Sequence, residues 1–275
     1  MILELFEYLL TPCSRTARTM GFLASATQVR ARYRRCKRAW APHISQTRRI
    51  ILDTVGCCQR RRKIVILGAG LLHDIPLREL SQLFHRVLLV DIVHPFLSRL
   101  AVHQFRNVEM ISADITEIME QLQQTTLTPG GLLPISHPMK FVDDPEIDLT
   151  ISVNLLSQLP QIPARYLEGR CDEVTVNAFL KHLIEAHLNY LLRLPGHTTL
   201  ITDLTIRHTT TDGKLLEEKN ALYEVRLPVA DSTWEWSLAV SPEIVRGIDI
   251  STTVGVYRDW KKSQRLATHL SRNST

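Results

Sequence analysis

The sequence Ile64-Val65-Ile66-Leu67-Gly68-Ala69-Gly70 joins four consecutive aliphatic residues to two glycines. An unbroken apolar run of this kind is typical of a strand that is buried on both faces, as in a parallel sheet. The glycines that follow allow a tight turn and let the backbone approach a ligand, because no Cβ stands in the way. The stretch therefore predicts the first strand of an α/β fold, ending at a turn that can face a ligand.

A helix is predicted directly after this turn. Residues 75–84 carry apolar side chains at helical spacing, Pro76 fits the first turn, and Asp74 is a plausible N-cap. A strand, a glycine turn and a helix in this order direct backbone N–H groups and a helix N-terminus toward one point. An anion or a polar cofactor can bind there, although a turn without a ligand remains an alternative.

A second strand is predicted at residues 87–90, and it ends in Asp91, which lies 21 residues after Gly70. An acid at this distance, at the tip of the second strand, is placed to accept hydrogen bonds from ribose hydroxyls. A third strand at residues 108–115 contains Asp114 near its end. Residues 147–160 then predict a fourth strand that breaks into a polar turn.

At these residues the chain resembles the class I S-adenosylmethionine-dependent methyltransferase superfamily. The resemblance covers about residues 63–204 and is carried by the combination of strand ends. It implies that the glycine turn approaches the methionine part of the cofactor, the second-strand acid holds the ribose, and the third-strand acid meets the adenine amine. The turn after the fourth strand would border the methyl group. The cofactor-binding residues implied by the resemblance are Gly68, Ala69, Gly70, Asp91, Ile92, Asp114, Ile115, Asn154 and Leu155.

Two departures from the superfamily pattern keep other functions open. Ile66 stands where the superfamily usually has an acid, and Leu72 stands where its third glycine would fall. A catalytically degenerate binding or scaffold protein is therefore one alternative. A nicotinamide-dependent oxidoreductase is another, favoured by the glycine pair and Asp91 but disfavoured by Asp114 and by His73 at the third glycine of the dinucleotide fingerprint.

The predicted fold class is α/β, with a mostly parallel, doubly wound sheet of the Rossmann-like methyltransferase type. An N-terminal helical cap and a C-terminal antiparallel strand pair complete it. We expect two units, a basic helical extension at residues 1–62 and a Rossmann-like cofactor-binding domain at residues 63–275. In the second unit we predict a helix at 174–194, a fifth strand at 198–204, a short helix at 214–222 and strands at 222–227, 233–240 and 251–257. Residues 258–275 are expected to fray.

The extension concentrates the positive charge of the chain. Residues 11–62 contain thirteen Lys or Arg and one acid, so they carry +12 of a chain whose net charge is +5. Within residues 14–40 a narrow apolar stripe has helical spacing, Pro42 is expected to end that helix, and a second helix should run to Val55 with Gly56 as its C-cap. The stripe comprises Phe22, Ala26, Val29, Tyr33, Cys36 and Trp40.

Three uses of this basic helical pair are possible: a solvated face, a cap over the cofactor site, or binding to nucleic acid. Nucleic acid is disfavoured because the aromatic residues of the stretch 11–62, which are Phe22, Tyr33 and Trp40, lie on the apolar stripe and are not free to stack on bases. We therefore predict a small-molecule acceptor, whose identity the sequence does not give. The oligomeric state is also left open.

Methyl transfer needs a general base only when the acceptor is protonated. Asp203, at the end of the predicted fifth strand, His208 beyond it, and His43 in the extension are weak candidates. Five cysteines without metal-ligand spacing predict free thiols in a reducing compartment, no metal site and a cytoplasmic protein. No apolar run is long enough to span a membrane.

Overall fold

The computed structural model describes residues 2–272 and contains one sheet in the order β3-β2-β1-β4-β5-β8-β7, with β6 pairing with β5. The strands are β1 Lys63–Leu67, β2 Arg86–Asp91, β3 Val108–Ser112, β4 Ile147–Val153, β5 His197–Thr210, β6 Leu215–Asn220, β7 Ser232–Ala239 and β8 Ile248–Tyr257. Strands β1 to β5 are mutually parallel, whereas β6, β7 and β8 pair in antiparallel fashion.

Helices follow or connect most of these strands. They are α1 Ile2–Leu10, α2 Arg15–Thr19, α3 Phe22–Val55, α4 Leu77–Leu83, α5 Phe96–Val102, α6 Met119–Gln124, α7 Gln161–Leu167, α8 Glu173–Arg193 and α9 Trp260–Arg272. Among the described residues, no helix is long and apolar enough to cross a bilayer. The predicted α/β fold class, a mostly parallel sheet with antiparallel strands toward the C-terminus, is confirmed.

Successive side chains of β1 point to opposite faces of the sheet, and both faces are covered. Every residue of β1 is buried. Ile64 and Ile66 pack in one hydrophobic cluster with Trp40 and Ile51 of α3, whereas Val65 and Leu67 pack in a second cluster on the other face. The continuous apolar run therefore has a packing partner on each side, as a parallel strand requires.

The N-terminal helices differ from the prediction at Pro42. Ser14 caps α2 through a hydrogen bond from the Ala17 N–H, and Gly21 in the left-handed region (φ 96°) separates α2 from α3. The expectation that Pro42 ends the helix is wrong, because α3 continues through it to Val55. The helix is kinked upstream of Pro42, with non-helical angles at Cys36.

Three predictions near the C-terminus are also wrong. Residues 214–222 contain β6 instead of a helix, since they return along β5 in a hairpin, and residues 222–227 contain no strand. Residues 260–272 form α9 instead of fraying, because the buried Trp260 anchors the helix and donates to the Leu188 carbonyl. Residues 273–275, which belong to the same prediction, lie outside the described residues.

Candidate functional site

A cavity of about 1390 Å³, including its open mouth, lies at the carboxyl ends of β1, β2 and β4. The chain runs from β1 outward to β2 and β3 and then returns to β4 on the other side of β1. Such a point, where the strand order reverses, is where open α/β sheets bind ligands. Of the nine residues that the sequence predicted to bind a cofactor, eight line this cavity: Gly68, Gly70, Asp91, Ile92, Asp114, Ile115, Asn154 and Leu155.

The glycine turn forms the floor of the cavity. Gly68 has φ 87°, and a Cβ added to it would lie 2.6 Å from the Val153 carbonyl oxygen of β4. Gly70 donates its N–H to Asp91 Oδ2 at 2.8 Å. Ala69, the ninth predicted residue, does not line the cavity, because its side chain packs into the hydrophobic core. The two glycines of this turn can therefore bring their backbone against a ligand.

Asp91 is held at the tip of β2 with part of its carboxylate facing the cavity. Oδ2 accepts from Gly70, and Oδ1 lies 3.4 Å from the Val93 N–H. Burial raises the pKa of the Asp91 carboxyl, and the nearby His94 opposes that shift. The carboxylate is therefore fixed in position by backbone N–H groups and retains lone pairs for hydroxyl donors of a ligand.

Asp114 is engaged differently from what the resemblance implies. Its Oδ1 accepts from the N–H of Thr116 at 2.8 Å and from the Thr116 hydroxyl at 2.6 Å. Its Oδ2 accepts from the N–H groups of Ile118 at 3.0 Å and Met119 at 2.9 Å. These four bonds use the lone pairs of the carboxylate. Asp114 lines the cavity but holds the turn before α6, so contact with an adenine amine would require one of these bonds to open.

Replacing Asp114 with alanine should therefore lower the stability of the folded protein. The change leaves four donors of one turn without their acceptor, and the loss of a capping carboxylate alone costs about 0.5–2 kcal/mol. We expect the melting temperature to fall by several degrees, at roughly 2–4 °C per kcal/mol for a chain of this size. Differential scanning calorimetry of Asp114→Ala measures this change in melting temperature. The control is Asp212→Ala, which removes an acid from the exposed turn after β5. An unchanged melting temperature would show that the turn does not depend on Asp114.

Asn154 and Asp74 meet at the centre of the cavity wall. Asn154 follows β4 in the left-handed region (φ 50°), with its N–H bonded to the Ile201 carbonyl of β5. Its side-chain nitrogen lies 2.8 Å from Asp74 Oδ2. The prediction that Asp74 caps the following helix is wrong, because α4 begins at Leu77 after an N-cap at Pro76. An acid in the loop directly after a glycine turn was the available signal that Asp74 belongs to the site.

The kinked helix α3 forms the opposite wall. Four stripe residues, Phe22, Ala26, Val29 and Trp40, line the cavity together with His43. Tyr33 stacks on the His73 ring with 3.6 Å between ring centroids. The stripe thus faces the sheet and the cavity, as a cap does; the separation of the chain into units at residues 62 and 63 stays a prediction.

His43 is enclosed by three side chains from distant parts of the chain. It stacks on Trp236 with 3.9 Å between ring centroids, its Nδ1 lies 3.2 Å from Trp234 Nε1, and its Nε2 lies 3.2 Å from Asn154 Nδ2. Burial lowers the pKa of His43 to about 3. The ring is therefore uncharged at neutral pH, and both nitrogens are occupied. It positions its neighbours more readily than it accepts a proton from a substrate.

The other two candidate bases do not line the cavity. Asp203 is buried in β5, where its Oδ2 accepts from the Ser157 hydroxyl at 2.8 Å, and burial raises its pKa to about 6. His208 lies on the β5–β6 hairpin with its Nδ1 2.7 Å from Glu217 Oε2. Of the three candidates, only His43 is brought to the site.

The two departures from the superfamily pattern have different structural outcomes. Ile66 is completely buried in β1, so the missing acid is replaced by core packing. Leu72 adopts φ 64°, a left-handed conformation that favours glycine, while its side chain packs in the core. The backbone of the turn therefore keeps a glycine-like conformation at Leu72 without the glycine.

Many arginines of the basic extension are used in ion pairs within the chain. Arg30 lies 2.8 Å from Glu7, Arg35 lies 2.6 Å from Glu243, and Arg62 lies 2.6 Å from Asp148. These acids neutralise part of the +12 charge of residues 11–62. The surface that a polyanion would meet is therefore less positive than the sequence alone suggests.

Comparisons with known proteins find likeness in structure only. No protein-family model matches the chain, and no curated protein matches it. Among solved structures, the chain is similar to DhpI in complex with SAH (14% identity, 83% of this chain and 93% of that chain, TM-score 0.34). It is also similar to 1,6-didemethyltoxoflavin-N1-methyltransferase of Burkholderia thailandensis (13% identity, 90% of this chain and 92% of that chain, TM-score 0.38). A further similar structure is the N-methyltransferase NodS of Bradyrhizobium japonicum (11% identity, 78% of this chain and 85% of that chain, TM-score 0.36). At such low identities and TM-scores, these likenesses assign no reaction or substrate to the chain.

Proposed function

We propose that this chain is an S-adenosylmethionine-dependent methyltransferase that acts on a small-molecule acceptor. The observation that carries the proposal is the convergence of the glycine turn, Asp91 and Asn154 on one cavity at the reversal point of the sheet. These three features come from strand ends far apart in sequence. A fold that needed them only for stability would not require them to face the same space.

The residues present fit the parts of this cofactor. Gly68 and Gly70 leave a cradle that a Cβ would fill, and their backbone can lie against the amino-acid portion. Asp91 can accept from the two ribose hydroxyls. Ile92 and Ile115 offer apolar surface for a purine ring beside those acceptors. The chain therefore matches the alternation of polar and flat apolar groups in S-adenosylmethionine.

The cofactor would supply an activated methyl group, which leaves the protein to position the acceptor and exclude water. Helix α3 does this with Phe22, Trp40 and His43, while β7 adds Trp236. Ligand sites lined mainly by aromatic and apolar side chains, with few polar groups, suit small organic molecules. No base is proposed, since an acceptor with a free lone pair needs none.

Two further parts of the proposal concern the surroundings of the protein. A small-molecule acceptor is preferred to nucleic acid because acids of the same chain pair with the arginines of the extension. We propose the cytoplasm as the compartment, since all five cysteines are free. The degenerate scaffold remains a second candidate, favoured by the saturated Asp114 and by Ile66.

Calorimetric titration with S-adenosylmethionine, S-adenosylhomocysteine and NAD tests the proposal. We expect both adenosyl ligands to bind in the micromolar range, about −8 kcal/mol, and NAD to show no binding. Binding of NAD alone would favour the oxidoreductase. Absence of binding by all three ligands to a folded protein would favour the scaffold and contradict the proposal.

Asp91→Ala tests the assignment of the ribose acceptor. The change removes a charged acceptor, and hydrogen bonds to charged groups contribute roughly 1.5–3 kcal/mol each. We expect the affinity for S-adenosylhomocysteine to fall at least about tenfold, as measured by titration calorimetry. Asp212→Ala, an equal charge change outside the cavity, should bind like the wild type. Unchanged affinity in a folded Asp91→Ala protein would refute the assignment.

A further inference from the structure

Four polar side chains from separate elements form a continuous hydrogen-bonding chain that leads to the cavity wall. Trp234 Nε1 of β7 lies 3.2 Å from His43 Nδ1 of α3. His43 Nε2 lies 3.2 Å from the Asn154 side-chain nitrogen, which in turn lies 2.8 Å from Asp74 Oδ2. Asn154 and His43 are both more than nine-tenths buried. Water has little access to the His43–Asn154 contact at the centre of this chain, so the protons of that contact must be satisfied internally.

With the Asn154 amide in its present orientation, the hydrogen-bond donors and acceptors along these four side chains do not match. The Trp234 indole N–H can only donate, so His43 Nδ1 must be the acceptor. A neutral imidazole then carries its single proton on Nε2, and burial holds the ring neutral by lowering its pKa to about 3. That N–H points at the nitrogen of the Asn154 amide, which is also a donor. Two donors therefore face each other at 3.2 Å.

Rotating the Asn154 amide by half a turn removes this conflict. The positions of nitrogen and oxygen in a side-chain amide are assigned from hydrogen bonding, so both orientations fit the same atoms. In the rotated orientation, Oδ1 accepts from His43 Nε2–H. In the present orientation, Asn154 Oδ1 has no hydrogen-bond partner among the described residues.

The rotated amide brings its oxygen to 2.8 Å from Asp74 Oδ2. Two oxygens at this distance attract each other only if one carries a proton, and the amide oxygen carries none. Asp74 must then be a carboxylic acid whose O–H donates to Asn154. Burial independently raises the pKa of Asp74. The fixed charge of Arg48 opposes that shift, whereas His43, on the same helix, is uncharged, and Asp91 across the glycine turn lines the same cavity.

We propose that Asp74 is a neutral carboxyl group in the free protein and ionises when the ammonium group of the cofactor's amino-acid part binds to it. The inference rests on the proposed function, since it is S-adenosylmethionine that brings the cation. Asp74 lines the cavity beside the glycine turn. The carboxylates of Asp91 and Asp114 are already held by backbone N–H groups, whereas the Asp74 carboxyl is bonded to a side chain.

On binding, the O–H bond of Asp74 breaks, its proton passes to solvent water, and the resulting carboxylate accepts an N–H from the ammonium group. Asp74 would thus supply the negative charge that Ile66 cannot. Affinity for a ligand with an ammonium group should increase with pH, because Asp74 must lose its proton, and level off above the pKa of Asp74 in the free protein. A ligand without that group should show no such dependence.

The test compares the wild type with Asp74→Asn and with Glu79→Gln, an exposed carboxyl of α4 that undergoes the same change. In Asp74→Asn the introduced amide N–H replaces the acid O–H in the bond to Asn154, so this variant should fold with a nearly unchanged melting temperature. Infrared difference spectra of the free proteins should show a protonated-carboxyl stretch that Asp74→Asn lacks and Glu79→Gln retains. Its absence from the wild type would overturn the neutral state of Asp74.

Binding is measured with S-adenosylhomocysteine and with 5′-methylthioadenosine, which lacks the ammonium and carboxylate groups. Asp74→Asn should weaken S-adenosylhomocysteine about tenfold or more and leave methylthioadenosine within about twofold. S-adenosylhomocysteine should also abolish the carboxyl stretch of the wild type. Equal affinity of both variants for S-adenosylhomocysteine would overturn the cation contact. If the wild type binds neither ligand, the proposed function fails, and the infrared band still decides the state of Asp74.

Discussion

Deleting residues 1–62 should leave a protein that no longer folds as a soluble monomer. Trp40, Ile50, Ile51 and Val55 of α3 are almost fully buried in the cluster that covers β1 and β4. Burial of such side chains contributes about 1.5–3 kcal/mol each, and the free energy of unfolding of a whole domain is only about 5–15 kcal/mol. Their joint removal is therefore comparable to the entire stability.

Size-exclusion chromatography and thermal unfolding of the truncated chain measure this effect. Because the truncation can fail to express, Ile51→Ala provides a graded test, with an expected loss of about 2–5 kcal/mol in the free energy of unfolding. Arg49→Ala, an exposed neighbour on the same helix, should cost little. A truncated protein that stays monomeric with an unchanged melting temperature would show that residues 1–62 are a detached basic arm.

Gly68→Ala should abolish cofactor binding. The added Cβ would lie 2.6 Å from the Val153 carbonyl oxygen and 3.0 Å from the Leu155 Cβ, so β1 and β4 would have to move apart at the floor of the cavity. The residue also has φ 87°, which alanine adopts only with strain. We expect affinity for S-adenosylhomocysteine to fall more than about a hundredfold, or over 2.7 kcal/mol.

Gly213→Ala separates the two causes of that effect. Gly213 has φ 90° in the exposed turn after β5, and nothing lies within 4 Å of its added Cβ. It carries the same backbone strain as Gly68 without a clash and lies outside the cavity. The two variants should lose similar stability from strain, and only Gly68→Ala should also lose binding. Comparable binding by both variants would show that the glycine turn does not contact the cofactor.

The parts of the site that follow local rules were predictable from the sequence. A buried parallel strand needs a continuous apolar run, and the turn after it needs glycine, so residues 64–70 and Asp91 could be located without the structure. Leu72 was identified as a departure from the pattern, but its left-handed backbone was visible only in the fold.

The parts that depend on distant packing were not predictable. Nothing near Asp74 indicates that Asn154 will face it, since the two lie 80 residues apart. Likewise, the sequence around Pro42 favours a helix end, whereas α3 continues through it with Trp40 and Ile50 packed in the core on either side. Residues 215–220 lack a strong strand pattern and extend because β5 offers a free edge.

The contacts of α3 with β7 also affect the order in which parts of the molecule can fold during synthesis. Trp40 donates to the Leu238 carbonyl across 198 residues, and His43 meets Trp234 across 191. A ribosome releases α3 long before β7, so the part of the helix that packs on β7 has no strand to cover it while the parallel strands are made. Such long-range pairing slows folding and leaves apolar surface open to aggregation. We therefore expect this part of α3 to stay uncovered until β7 and β8 have been synthesised.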